Sequence, residues 1–146
     1  MEKITEVAKY FLSKEPMTHK KLQKLCYYAQ AWYLANYGKP LFQSDFEAWV
    51  HGPVSPELYS VYRDWGWLPI SQPAERKADL SGPNTASFLD LVYKTYGHYT
   101  GDQLENISHQ EDPWSNARTG YSKADYCRNI ISEDQMRQYY GKRIGK

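Results

Sequence analysis

The sequence predicts a mainly α-helical domain of the α+β kind, with about six helices and a minor short β element. Apolar residues recur at three- and four-residue spacing over most of the chain, which is the helical period. Serine, threonine and proline starts, with glycine stops, divide that pattern into short segments. Only residues 46–50 (FEAWV) form an apolar run too short for a helix between its breakers. At 146 residues the whole chain, 1–146, fits one compact domain, which at this size buries enough surface for a core without staples.

Taken in order, residues 5–12 place Val7, Ala8, Phe11 and Leu12 on one helical face, and residues 13–16 end it at Pro16. Thr18 is an N-cap candidate for a second helix over 20–37, although Lys21 cannot complete a capping box. Leu22, Leu25, Cys26, Ala29, Trp32 and Tyr33 form one stripe there, and Tyr27, Tyr28, Ala31 and Leu34 cover much of the rest. A helix apolar on most sides is surrounded by other elements, so this one belongs at the centre. Gly38 suits its C-terminal stop and Pro40 prevents continuation.

After the short strand, His51-Gly52-Pro53 reads as a turn, and Ser55-Pro56 as a cap followed by proline at the first helical position. Leu58, Tyr59, Val61, Tyr62 and Trp65 mark the helix that follows, closed at Gly66. Residues 66–83 carry three prolines and the run ERKAD, a surface loop expected to pair as a small hairpin with the strand near Trp49. A helix over 84–96 ends at Gly97, Thr100 with Gln103 forms a capping box, Asp112-Pro113 a cap and start, and Ser132 with Gln135 a second box opening the last helix.

Composition excludes several function classes. The net charge of +1 and dispersed Lys and Arg argue against nucleic acid as a partner. The cluster Lys142, Arg143 and Lys146 reads as a solvated tail, and His19, Lys20, Lys21 and Lys24 as a solvated basic helix start. Cys26 and Cys127 lie far apart, with Cys26 on an apolar stripe, so neither a disulfide framework nor an exposed thiolate is expected. No signal peptide and no apolar run of about 18 residues is found, which predicts a cytoplasmic protein without a membrane span.

No catalytic arrangement stands out. His109-Gln110-Glu111 has the H-x-E spacing of zinc deaminases but lacks the downstream P-C-x-x-C that would hold the metal. The four histidines are scattered, and no glycine-rich phosphate loop occurs. The expectation is a protein that is not an enzyme, with no cofactor and no metal. Fourteen tyrosines and five tryptophans suit both a core edge and a protein–protein interface.

Three blocks carry a family likeness: L-x-K-L-x-Y-Y-A-Q-A-W-Y-L at 22–34, E-A-W-V-H-G-P-V-S-P-E-L-Y at 47–59, and L-x-x-I-S-H-Q-E-D-P-W at 104–114. In this order they resemble the Panacea domain of SocA-like antitoxins, which also occurs in phage-associated proteins called GepA. The resemblance implies an antitoxin that binds and neutralises a protein toxin encoded nearby. Alternatively it implies an adaptor to a Clp-type protease, or a phage-encoded host modulator without enzymatic activity. Leu22, Leu25, Ala29, Gly52, Pro53, Ser55 and Pro56 have sufficient structural explanations. Trp49, His51, Tyr59, His109, Glu111 and Trp114 remain as candidate partner-binding residues, with His109 and Glu111 alternatively hydrogen-bonding to residues 51–54 and locking two blocks together.

Overall fold

A computed structural model describes residues 1–72 and 76–144. The order is α1 (Ile4–Leu12), α2 (His19–Tyr37), β1 (Glu47–Trp49), β2 (Gly52–Val54), α3 (Pro56–Tyr62) running into a 3₁₀ turn (Arg63–Trp65), α4 (Thr85–Tyr96), α5 (Gly101–His109), α6 (Asp112–Ala117) and α7 (Glu133–Gly141). The predicted helices are all present, giving seven α-helices among the described residues. Among the described residues, no helix is long and apolar enough to cross a membrane.

The 19-residue α2 is the axis of the fold, and α1, α3, α4, α5, α7 and β2 all pack on it. Leu22, Leu25, Cys26, Tyr27, Tyr28, Ala29 and Ala31 lie fully buried in one contiguous core with Phe11, Phe42, Leu58, Leu89, Leu104 and Tyr140. Thr18 caps α2 by accepting the Lys21 N–H, and Gly38 ends it at φ +71° in the left-handed region. Burial pushes the Cys26 thiol well up, in keeping with its reading as a small hydrophobe.

Enclosure obliges α2 to satisfy its polar side chains internally. Gln30 Oε1 accepts from the N–H of Leu41 (2.8 Å) and Phe42 (3.3 Å), and its Nε2 donates to the Phe42 carbonyl (2.8 Å). Gln23, two turns earlier, accepts from the Ser55 N–H (2.8 Å) and donates to the Ser55 carbonyl (3.2 Å). Each glutamine stands in for a strand neighbour and ties one connecting segment to the helix.

Four local expectations need correction. The turn of the hairpin is Val50-His51, and Gly52-Pro53 belong to β2, paired in the register Glu47↔Val54, Ala48↔Pro53 and Trp49↔Gly52. Pro53 is tolerated because the Ala48 N–H opposite it points to the other edge, where it meets the Asn129 carbonyl at 2.8 Å. That edge of β1 is occupied by residues 129–131, not by the loop after Gly66. The loop's buried residue, Ile70, instead pairs with Met17. Residues 73–75 of that loop, including the first residue of ERKAD, and Lys146 of the basic tail lie outside the described residues.

The N-cap of α6 is Glu111, not Asp112, and its side chain is engaged elsewhere. Ser132 accepts the Gln135 N–H as expected, but Gln135 Oε1 is taken by Asn116 Nδ2 at 2.9 Å, so that box closes on one side only. At Thr100 and Gln103 both halves are made.

Replacing Gln30 by leucine would strand two buried N–H groups and a carbonyl. Gln30→Leu is expected to lose about 2–4 kcal/mol of stability in urea unfolding, whereas a loss within experimental error would show that those groups find other partners.

Candidate functional site

The hairpin projects its turn beside the N-terminal half of α2 and the start of α3, and a pocket of about 320 Å³ opens there. Trp49, Tyr59 and Trp67 supply its aromatic walls, with His19, His51, Lys20 and Arg63 around them and Lys24 within. Tyr59 is stacked on His19 (5.2 Å between ring centroids, 25°) and meets Trp49 edge-on at 5.1 Å. Burial, with the nearby Lys24, pushes His19 down to about 4, so this ring is neutral at physiological pH.

The basic start of α2 is not solvated. Lys20 Nζ is held by Asp102 (2.8 Å) and Glu105 (2.7 Å), and the His51 ring contacts the same Glu105 oxygen at 3.2 Å. Burial would raise the Glu105 carboxyl, but Lys20 and His51 outweigh it and hold it below the usual range. Lys21 Nζ donates to the Gly97 carbonyl (2.6 Å) and to Glu15 (2.9 Å).

Lys24 is 1 % exposed as a residue, lines the pocket, and takes part in no ion pair among the described residues. Burial first, then Lys20, pushes it down to about 7, against a smaller opposing pull from Glu105. The space it needs is provided by Gly52. A Cβ at that position would lie 2.6 Å from Lys24 Cε, and the backbone there has φ +105°, which L side chains rarely adopt. Gly52 is thus required by its own backbone conformation, and its missing side chain leaves the room that Lys24 occupies.

The third block closes the hairpin from behind. Trp114 is 2 % exposed and donates its indole N–H to the Trp49 carbonyl (2.8 Å), while His109 stacks on it at 4.0 Å and 18°. Arg118, buried and absent from the sequence-based candidates, donates to the Ala48 carbonyl (2.6 Å) and the Ser122 carbonyl (2.8 Å), and lies 4.9 Å above the Trp114 ring. His109 Nε2 is buried without a hydrogen-bond partner among the described residues.

Glu111 does not reach residues 51–54. Its Oε1 accepts the hydroxyls of Tyr28 and Tyr140, each at 2.7 Å, and burial raises its carboxyl despite those two bonds. His109 and Glu111 therefore face different neighbours: Trp114, with His109 on the Val50 backbone, ties the third block to the second, and Arg118, just beyond the third block, adds its bond to the Ala48 carbonyl. Of the six candidates, Trp49, His51 and Tyr59 come together at the pocket, His109 and Trp114 back the hairpin from behind, and Glu111 is bound to Tyr28 and Tyr140 in the core.

Comparison with known proteins fits these blocks. Residues 22–115 match the family described as "Antitoxin SocA-like, Panacea domain". The chain belongs to this family. It is 34 % identical over 110 residues to "Antitoxin SocA" of Caulobacter vibrioides (strain NA1000 / CB15N), a match covering 68 % of this chain and 58 % of that relative. The chain thus spans somewhat more than half the length of that curated relative. No solved structure matches it. Every family block contributes to the hairpin, the pocket or the buried helix beneath them.

Lys24 offers a test by pH. A lysine whose folded-state pKa lies near 7 carries its full burial cost below that pH, and the cost shrinks as pH rises towards the unfolded value of about 10.4. The charged and titratable groups that face it are Lys20 and His19 of α2, Glu105 and His109 of α5, His51 of the hairpin turn and Arg63 of the 3₁₀ turn. Lys24→Met is expected to stabilise the fold by a few kcal/mol at about pH 6, with a smaller gain at about pH 9. Urea unfolding at both values checks it, and a destabilised Lys24→Met at the lower pH contradicts the burial cost.

Proposed function

We propose that the protein is a cytoplasmic antitoxin that neutralises a cognate protein toxin encoded nearby, by direct protein–protein binding and without an enzymatic step. Family membership supports the general role. The observation that carries the binding mode is an apolar shelf on α3 and the turn beyond it. Tyr59 is 40 % exposed and Trp67 74 %, both at the pocket, and Leu68 next to Trp67 is 68 % exposed. Such a concentration of exposed aromatic and aliphatic side chains is the composition of an interface centre, where a few Trp and Tyr anchors supply most of the affinity. The shelf adjoins the pocket that gathers Trp49, His51 and Tyr59, so these three candidates lie within reach of the same partner.

Co-expression with the neighbouring open reading frame tests the reading. The neighbour alone should arrest growth, the pair should grow, and a Trp67→Ala, Leu68→Asp variant of unchanged thermal stability should lose rescue by at least about tenfold in surviving cells. A neighbour that is harmless alone, or toxic despite this protein, would contradict the role. The toxin's half-life separates the two modes of action: it is unchanged under neutralisation by occlusion and shortened under delivery to a Clp-type protease.

A further inference from the structure

Binding of a protein to the shelf leaves Lys24 unexplained. Lys24, 1 % exposed as a residue, lines the pocket with no carboxylate paired to it among the described residues. The Lys20 ammonium beside it is engaged by Asp102 and Glu105, and the His51 ring lies on the same Glu105 oxygen. Arg63, exposed at the mouth, makes no ion pair among the described residues. An enclosed lysine without a counter-charge is expensive, and its polar neighbours Lys20, Lys21 and Gln23 on α2 each have partners.

We propose that the pocket binds a carboxylate carried on an apolar, ring-sized body, with Lys24 Nζ as the anchor at its base and Arg63 at its mouth. Charge selects the head group. A single negative charge meets Lys24 at the base and Arg63 at the mouth, whereas a cation would meet both. The walls select the body: Trp49, Tyr59 and Trp67 present flat rings, and Val54 an aliphatic surface. A volume of about 320 Å³ lies at the lower end for ligand pockets and suits one ring on a short chain rather than a nucleotide. The same chemistry is offered by a free carboxylic acid and by the C-terminal residue of a peptide. The inference does not depend on the antitoxin reading, because it concerns the isolated protein.

The test is an NMR titration of the ¹⁵N-labelled full chain at about pH 6.5, where the amine is largely protonated. One pair of probes is 3-phenylpropionate and its neutral analogue 3-phenylpropionamide. The second pair is acetyl-Gly-Phe with a free C-terminus and the same peptide amidated. The expected result is a set of shifts at the amides of Gly52, Val54 and Gly66 and at the Trp49 and Trp67 indoles, with the acid of at least one pair binding about tenfold or more tighter than its amide. In Lys24→Met that preference should vanish while weak amide binding persists. Preference in the first pair identifies free acids as the ligand class, and preference in the second pair alone identifies a chain terminus. No shifts up to about 10 mM, equal affinity within both pairs, or a preference undiminished in Lys24→Met would overturn the proposal. The acid–amide comparison on the unaltered protein stands whether or not Lys24→Met folds well.

Discussion

A 19-residue helix enclosed by protein on nearly every side is the constraint on which this fold depends. An enclosed helix has no wet face on which to leave its polar side chains, so each must be matched by whatever packs against it. In α2 the matching groups are the segments between elements. Gln30 holds the chain at Leu41 and Phe42, Gln23 holds it at Ser55, and Lys21 holds it at Gly97. Loops that would otherwise be free to wander are positioned by side chains of one helix. The same logic accounts for the tyrosine load: Tyr27, Tyr28 and Tyr140 bury their rings while their hydroxyls converge on one another and on Glu111.

From this arrangement the pocket follows. Gln23 fixes the start of α3, which places Tyr59 beside His19. Gly52 leaves room for the Lys24 stem, which brings β2 close against α2. Trp114 and Arg118 take the outward carbonyls of Trp49 and Ala48 and hold the hairpin from behind. The family's blocks are therefore largely architecture, and the surface they build is a product of three of them acting together. Stability alone does not explain Lys24, since a methionine of similar length would fill the same space without an unpaired charge.

The elements themselves were legible because local chemistry determines them. Thr18, Ser55 and Thr100 cap helices wherever they precede an apolar period, and Gly38 ends one by adopting a left-handed backbone that other residues resist. The hairpin turn was misread by two residues because Gly52 and Pro53 usually signal a turn. Here the glycine sits inside β2 at φ +105°, with a lysine 28 positions earlier packed where its Cβ would be, a tertiary arrangement that no local rule contains. The pairing of Ile70 with Met17 and of residues 129–131 with β1 was illegible for the same reason.

The site was legible only in part. Trp49, His51 and Tyr59 stood out because nothing local required them, and they do meet at one pocket. Glu111 was misdirected because its neighbours in sequence suggested the hairpin, whereas its partners Tyr28 and Tyr140 lie 83 and 29 positions away. Lys24 was read as part of a solvated helix start. The available signal was the enclosure of the helix itself: a segment apolar on most sides leaves no solvated face for a lysine between Leu22 and Leu25.

The central claim is that side chains of an enclosed helix hold the connecting segments at Leu41–Phe42 and Ser55, alongside the backbone pairings of Glu2 with Phe42, Met17 with Ile70 and residues 129–131 with β1. Native-state hydrogen exchange measures it directly at the amides of Leu41 and Ser55, whose N–H groups end on Gln30 and Gln23. The account predicts that both exchange only with global unfolding, as slowly as the amides of residues 25–34 in α2. Exchange of Leu41 and Ser55 at the rate of exposed loop amides, while α2 stays protected, would contradict it.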